Sequence, residues 1–104
     1  MHTAIKNHLS ATVCGTGVPA ALRALHNLYG LTGSEIAFSL GRDRTRVSQY
    51  LNGRQAMPDK VRARLRDALR DCLAMARTVK TSAASEDELL EAIMNRTEEL
   101  ISDL

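Results

Sequence analysis

Residues 33–53 read GSEIAFSLGRDRTRVSQYLNG, and their pattern decides the fold predicted for the whole chain. Between two short apolar blocks, Gly41 provides a residue that adopts a left-handed turn conformation without steric cost. The stretch therefore predicts two short helices joined by a tight turn. Their apolar faces, spaced as in a helix, are Ile36, Ala37 and Leu40 in the first and Val47, Tyr50 and Leu51 in the second.

The second predicted helix has a polar and basic surface outside its apolar stripe. Its side chains are of the kinds that hydrogen-bond phosphate oxygens and base edges, so the working hypothesis is DNA recognition. The residues concerned are Arg44, Thr45, Ser48 and Gln49, flanked by Arg42, Arg46 and Arg54.

Local signals mark where both helices begin. Thr32 with Glu35 three residues later is a capping-box pattern in front of the first helix. Asp43 is suited to accept backbone N–H groups at the start of the second helix. We interpret Asp43 as a structural cap, with a contact to cytosine as the alternative.

Further helices are predicted on both sides of this stretch. Pro19 suits a first helical turn, and Gly30 suits the end of that helix. Pro58 opens a long apolar stripe from Val61 to Ala76, opposite a face of mixed charge that is typical of a solvated surface. Residues 1–18 are predicted to form either a disordered arm or a short helix.

The end of the chain is predicted to be a linker followed by an amphipathic helix, over residues 81–104. Part of its apolar face alternates by three and four, as in a short coiled-coil seam. Two interpretations stay open: the helix mediates dimerisation or binds a partner protein, or it packs back on its own domain. The residues predicted for dimerisation are Leu90, Ile93, Met94, Thr97, Leu100, Ile101 and Leu104.

Composition supports an all-α fold in one domain of residues 19–80 with these appendages. Of the 104 residues, 44% are hydrophobic but only 3% aromatic, so the core is expected to be aliphatic. Residues 1–80 hold 13 Lys and Arg and 5 Asp and Glu, a net charge of +8, whereas residues 81–104 hold 1 Arg and 7 Asp and Glu, a net charge of −6. A basic body with an acidic end is consistent with a polyanion-binding face.

Other function classes find little support in the sequence. No apolar run approaches the ~20 residues of a membrane span, and the N-terminus does not resemble a signal peptide, so a cytoplasmic location without membrane contact is expected. Cys14 and Cys72 have no paired spacing, and no metal site or other cofactor is expected. No nucleophile with a paired base and no phosphate-binding glycine loop is present, so an enzyme is not expected.

Residues 33–53 resemble the helix-turn-helix of the lambda repressor and Cro family, also called XRE-like regulators. Ala37, Gly41, Val47 and the pair Asn52-Gly53 occupy the motif's characteristic positions at the family's spacing. The resemblance covers about residues 19–70 and implies a lambda-repressor-like all-α bundle, to which this chain adds a C-terminal amphipathic helix. Gly33 departs from the pattern, since many members have a phosphate-contacting Gln there.

The resemblance implies a sequence-specific regulator whose second motif helix enters the major groove of double-stranded DNA. A homodimeric repressor on a near-palindromic operator is the expectation. The alternatives are an antitoxin whose C-terminal helix binds a protein toxin, and an adaptor that has lost DNA binding. By position, the base contacts would be Arg44, Thr45, Ser48 and Gln49, and the phosphate contacts would be Thr32, Ser34, Arg42, Arg46, Asn52 and Arg54.

Overall fold

A computed structural model of the chain describes residues 15, 17–83 and 88–104, and all the secondary structure in this part is helical. The all-α prediction is confirmed for these residues. The predicted arm or short helix at residues 1–18 lies almost wholly outside them. The helices are α1 (Gly17–Asn27), α2 (Gly33–Leu40), α3 (Arg44–Leu51), α4 (Asp59–Ala83) and α5 (Glu88–Asp103).

The start of α2 has the predicted capping box. The Thr32 hydroxyl accepts a hydrogen bond from the Glu35 N–H at 3.1 Å, and Glu35 Oε1 accepts one from the Thr32 N–H at 3.0 Å. The backbone N–H of Thr32, first, and the Thr32 side chain both hydrogen-bond the Glu35 carboxylate, and these contacts lower the pKa of that carboxyl group. The carboxylate is therefore charged at neutral pH, and the support that it gives the helix start is lost only as the pH falls through this lowered pKa.

The turn between α2 and α3 depends on Gly41. Its φ of 65° and ψ of 33° lie in the left-handed region, and its N–H bonds back to the Phe38 carbonyl at 3.1 Å. A side chain at this position would be strained, because Cβ crowds the backbone in that conformation. The chain then turns over residues 41–43 and starts α3.

One aliphatic core joins the helices. Leu25 and Leu40 are fully buried in it, together with Val61, Leu65 and Leu69 of α4. Small residues of α1, Ala20, Ala21 and Ala24, are also fully buried. Since an alanine adds little bulk, neighbouring helices can approach the axis of α1 closely.

The long helix α4 extends further than the sequence suggests. It runs to Ala83, so residues 81–83 of the predicted linker are helical, and residues 84–87 lie outside the described part. Two large apolar side chains on its C-terminal half are exposed, Met75 at 63% and Val79 at 57%. No described helix is both long enough and apolar enough to span a bilayer.

The closing helix α5 packs back on its own domain, antiparallel to α4 and also against α1. Leu100 and Thr97 are 0% exposed, and the Thr97 hydroxyl lies 2.5 Å from the Tyr29 hydroxyl while also donating to the Ile93 carbonyl. Burial raises the pKa of Tyr29, so the phenol is neutral and can take part in this bond. Arg77 pairs with Glu98 at 2.6 Å.

This packing corrects part of the predicted dimerisation seam. Thr97 and Leu100 cannot face a second chain in this fold, because both are sealed inside the core. Ile101 and Leu104 also pack against the core, and Leu90, Ile93 and Met94 are half-buried. The seam had the right period for a helix–helix contact, but at positions 97 and 100 the contact is with the core of the same chain.

We expect Leu100→Ala to lower the free energy of unfolding by about 2–5 kcal/mol, because it removes a fully buried side chain and leaves a cavity. Urea denaturation at two protein concentrations measures this loss, which should be the same at both. The exposed Ser102→Ala should change stability by less than about 0.5 kcal/mol. A loss that depended on protein concentration would instead place Leu100 between two chains.

Candidate nucleic-acid interface

Helix α3 is held by its inner face and presents the opposite face to solvent. Val47 and Tyr50 are buried in the core, whereas the polar residues between them are exposed, or half-buried in the case of Gln49. Residues from the helix and the loop after it line one open hollow: Arg44, Thr45, Ser48, Gln49, Asn52 and Arg54. The structure thus brings together all four predicted base contacts and two of the predicted phosphate contacts.

The N-terminus of α3 is capped by Asp43, as predicted. Its Oδ1 accepts a hydrogen bond from the Arg46 N–H at 2.7 Å, with the backbone extended at φ −79° and ψ 167°. A carboxylate here satisfies an N–H that would otherwise lack a partner and opposes the positive end of the helix dipole. The capping role of Asp43 therefore explains why a carboxylate is present on an otherwise basic surface.

Backbone hydrogen bonds from the following loop cap the C-terminal end of α3. The Gln49 carbonyl accepts from the N–H groups of Arg54 and Gln55 at 2.9 and 3.3 Å. These bonds fold the loop back, so the Arg54 side chain lies beside the hollow. Asn52 Nδ2 donates to the Ser48 hydroxyl at 3.4 Å, which leaves the hydroxyl proton of Ser48 to donate elsewhere.

The predicted phosphate contacts at the start of α2 are exposed but differ in what they can offer. Ser34 is exposed with its hydroxyl outside the capping box. The Thr32 hydroxyl accepts from the Glu35 N–H, and a phosphate oxygen would have to compete with the Glu35 carboxylate for its proton. Glu35 also brings a negative charge to this helix start, which opposes an anion there.

Arg44 lies against the start of α2. A Cβ built on Gly33 would be 3.3 Å from Arg44 Nε and 3.5 Å from Nη2, so the guanidinium occupies the space beside the glycine. The guanidinium has no hydrogen bond or ion pair within the described part of the chain. This arrangement spans the two helices and was not visible in the sequence pattern.

The remaining basic residues extend the surface around the turn. Arg42 and Arg46 are exposed, and Arg42 Nη1 donates to the Gly41 carbonyl at 2.9 Å. Arg64 of α4, which the sequence assigned to a solvated face, reaches the same turn: a Cβ on Gly41 would be 2.6 Å from its Nη1. The packing of α4 against α2 brings Arg64 here, so no local signal could have revealed it.

Phe38 is a second feature that the sequence pattern missed. It lies on the outer face of α2 and is 88% exposed, although it stands between buried residues in the chain. A single exposed aromatic side chain is common on protein surfaces, and it carries no functional assignment here.

Other kinds of site find no support in the described residues. Their His, Cys, Asp and Glu side chains form no group of three that could hold a metal ion. The Cys72 thiol is buried, and burial together with the nearby Asp71 raises its pKa, so it is a poor nucleophile at neutral pH. The polar face of α3 is therefore the main candidate for a binding surface.

Comparison with known proteins adds no relative of this chain. No protein-family model, no curated protein and no solved structure matches it.

The cap of α3 can be tested apart from any ligand. Asp43→Ala should lower the free energy of unfolding by about 0.5–2 kcal/mol, because it removes the N-cap acceptor. Asp43→Asn should keep most of the stability, since an amide oxygen can accept the same bond. Denaturant unfolding of both variants and the parent measures this order, and equal losses for Asn and Ala would contradict the capping role.

Proposed function

We propose that the protein is a sequence-specific DNA-binding regulator of transcription with a lambda-repressor-like helix-turn-helix. The observation that carries the proposal is the polar outer face of α3, exposed on a helix that is capped at its start and packed on the core. The turn at Gly41 between α2 and α3 agrees with this motif. Such a regulator would act in the cytoplasm.

Helix α3 has the dimensions and side chains to read the major groove. The groove of B-DNA is about 12 Å wide and admits a helix of about 10–12 Å diameter. Gln49 can make a bidentate contact with adenine, while the hydroxyls of Thr45 and Ser48 can pair with several bases. We assign sequence reading mainly to these three side chains.

Phosphate contacts would come from the rim of the same surface. Arg42, Arg46 and Arg54 are exposed around α3 and can pair with phosphate oxygens. Asn52, at the end of the helix, and Thr32 and Ser34, at the start of α2, offer neutral donors. These contacts fix the position of the protein on the duplex and make binding dependent on salt.

We further propose that the protein binds as a homodimeric repressor on a near-palindromic operator. One domain with a recognition helix of eight residues covers few base pairs, and two half-sites about 34 Å apart would double the contact. Thr97 and Leu100 cannot serve such a dimer. The half-buried members of the predicted seam are the ones that a second copy could still reach: Leu90, Ile93, Met94, Ile101 and Leu104.

The antitoxin alternative assigns a different partner to α5. Glu88, Glu91 and Asp103 are exposed on this helix and would suit a basic protein. The helix is folded into the domain, so a toxin would meet its acidic outer face and not an extended tail. Copurification of a basic protein with the chain would favour this function over a self-sufficient repressor.

DNA selected from a random pool tests the proposed function. We expect Gln49→Ala to reduce the preference at one base pair by about 1–3 kcal/mol, with the salt dependence unchanged, because a base contact is lost and no phosphate contact. Binding titrations on the selected duplex and on single-base variants measure this preference.

The matched control for Gln49 is Gln55→Ala. Gln55 is an exposed glutamine in the loop after α3, and its backbone N–H donates to the Gln49 carbonyl of the helix. It should bind DNA like the parent. If Gln49→Ala kept the full preference of the parent, α3 would not be the reading helix; if the parent selected no sequence, the proposal would be refuted as a whole.

A further inference from the structure

We propose that Gly33 and Arg44 act as one unit, in which the absence of a side chain at Gly33 lets Arg44 make a DNA backbone contact. This inference rests on the proposed function and revises one part of it. Arg44, predicted by position to read a base, becomes a phosphate contact. Sequence reading is then left to Thr45, Ser48 and Gln49.

The Arg44 side chain extends from its own helix to the start of α2. Arg44 is the first residue of α3, but its guanidinium lies beside Gly33, the first residue of α2. A Cβ on Gly33 would be 3.3 Å from Arg44 Nε and 3.5 Å from Nη2. A longer side chain at position 33 would fill the space that the guanidinium occupies. Glycine keeps that space open.

The position of the Arg44 guanidinium decides which part of a DNA duplex its positive charge would meet. When the second helix of such a motif lies in the major groove, the first helix crosses the DNA backbone. A side chain that extends from α3 to the start of α2 therefore reaches towards the backbone and away from the floor of the groove. The guanidinium is exposed and unpaired within the described part of the chain, so its donors are available to a phosphate.

The backbone conformation does not itself require glycine at position 33. Gly33 begins α2, and unlike Gly41 it has no positive φ. An alanine is compatible with this conformation and should favour the helix. The cost of Gly33→Ala should therefore be confined to DNA binding, where the new methyl group would shift the guanidinium by a few tenths of an ångström.

The test compares the parent with Gly33→Ala, Arg44→Ala and the double variant on DNA selected from a random pool. We expect Arg44→Ala to select the same sequence as the parent, with affinity lowered roughly tenfold on every duplex. The slope of log affinity against log salt should fall by about 0.9, the value for one phosphate contact. Gln49→Ala provides the contrast, since it should alter the selected sequence and keep the slope.

Gly33→Ala tests the coupling. It should weaken binding less than Arg44→Ala and equally on all sequences, and it should have no further effect in the Arg44→Ala background. Its free energy of unfolding should equal or exceed that of the parent, which excludes a folding defect.

Two results would overturn the inference while leaving the proposed function intact. In the first, Arg44→Ala loses the preference at one base pair with an unchanged salt slope, which makes Arg44 a base reader. In the second, Gly33→Ala weakens binding by the same factor with and without Arg44, which shows that the two residues are independent. A parent that binds no DNA at all refutes the proposed function and this inference with it.

Discussion

A helix of eight residues is not stable alone in water, and this constraint governs the architecture around α3. Burial of Val47 and Tyr50 holds its inner face against the core, while the Asp43 carboxylate accepts a backbone N–H of its first turn. The Gln49 carbonyl, which accepts two N–H groups, closes its last turn. Because the caps at both ends and the buried inner face stabilise the helix, its outer face can be purely polar and need not contribute to its stability.

The same need for support explains the helices around it. α1 packs against α2, α3, α4 and α5, and its buried alanines let those helices come close. α5 adds Leu100 to the core, and its Thr97 hydroxyl meets the hydroxyl of Tyr29 in the turn that follows α1. Its acidic residues face outwards. In the proposed complex, their charge would repel DNA from that side of the molecule and favour binding through the basic side around α3.

Sequence reasoning predicted the elements whose signals are local. The capping box at Thr32, the left-handed glycine at position 41 and the cap at Asp43 each depend on residues within a few positions, and all three appear in the structure. Local signals could not show which surface the apolar face of α5 packs against. A heptad-like stripe has the same pattern whether it meets a second chain or its own domain, and only tertiary packing decides between them. The reach of Arg44 to Gly33 has the same origin, because it depends on the angle between two helices.

NMR titration of the parent protein with a short DNA duplex at low salt tests the proposal that the exposed face of α3 binds DNA. We expect chemical-shift changes at the backbone amides of Thr45, Ser48 and Gln49 and at the start of α2, with the outer face of α5 unaffected. Changes confined to α5 or to the C-terminal half of α4, or no change at any amide, would contradict the proposal.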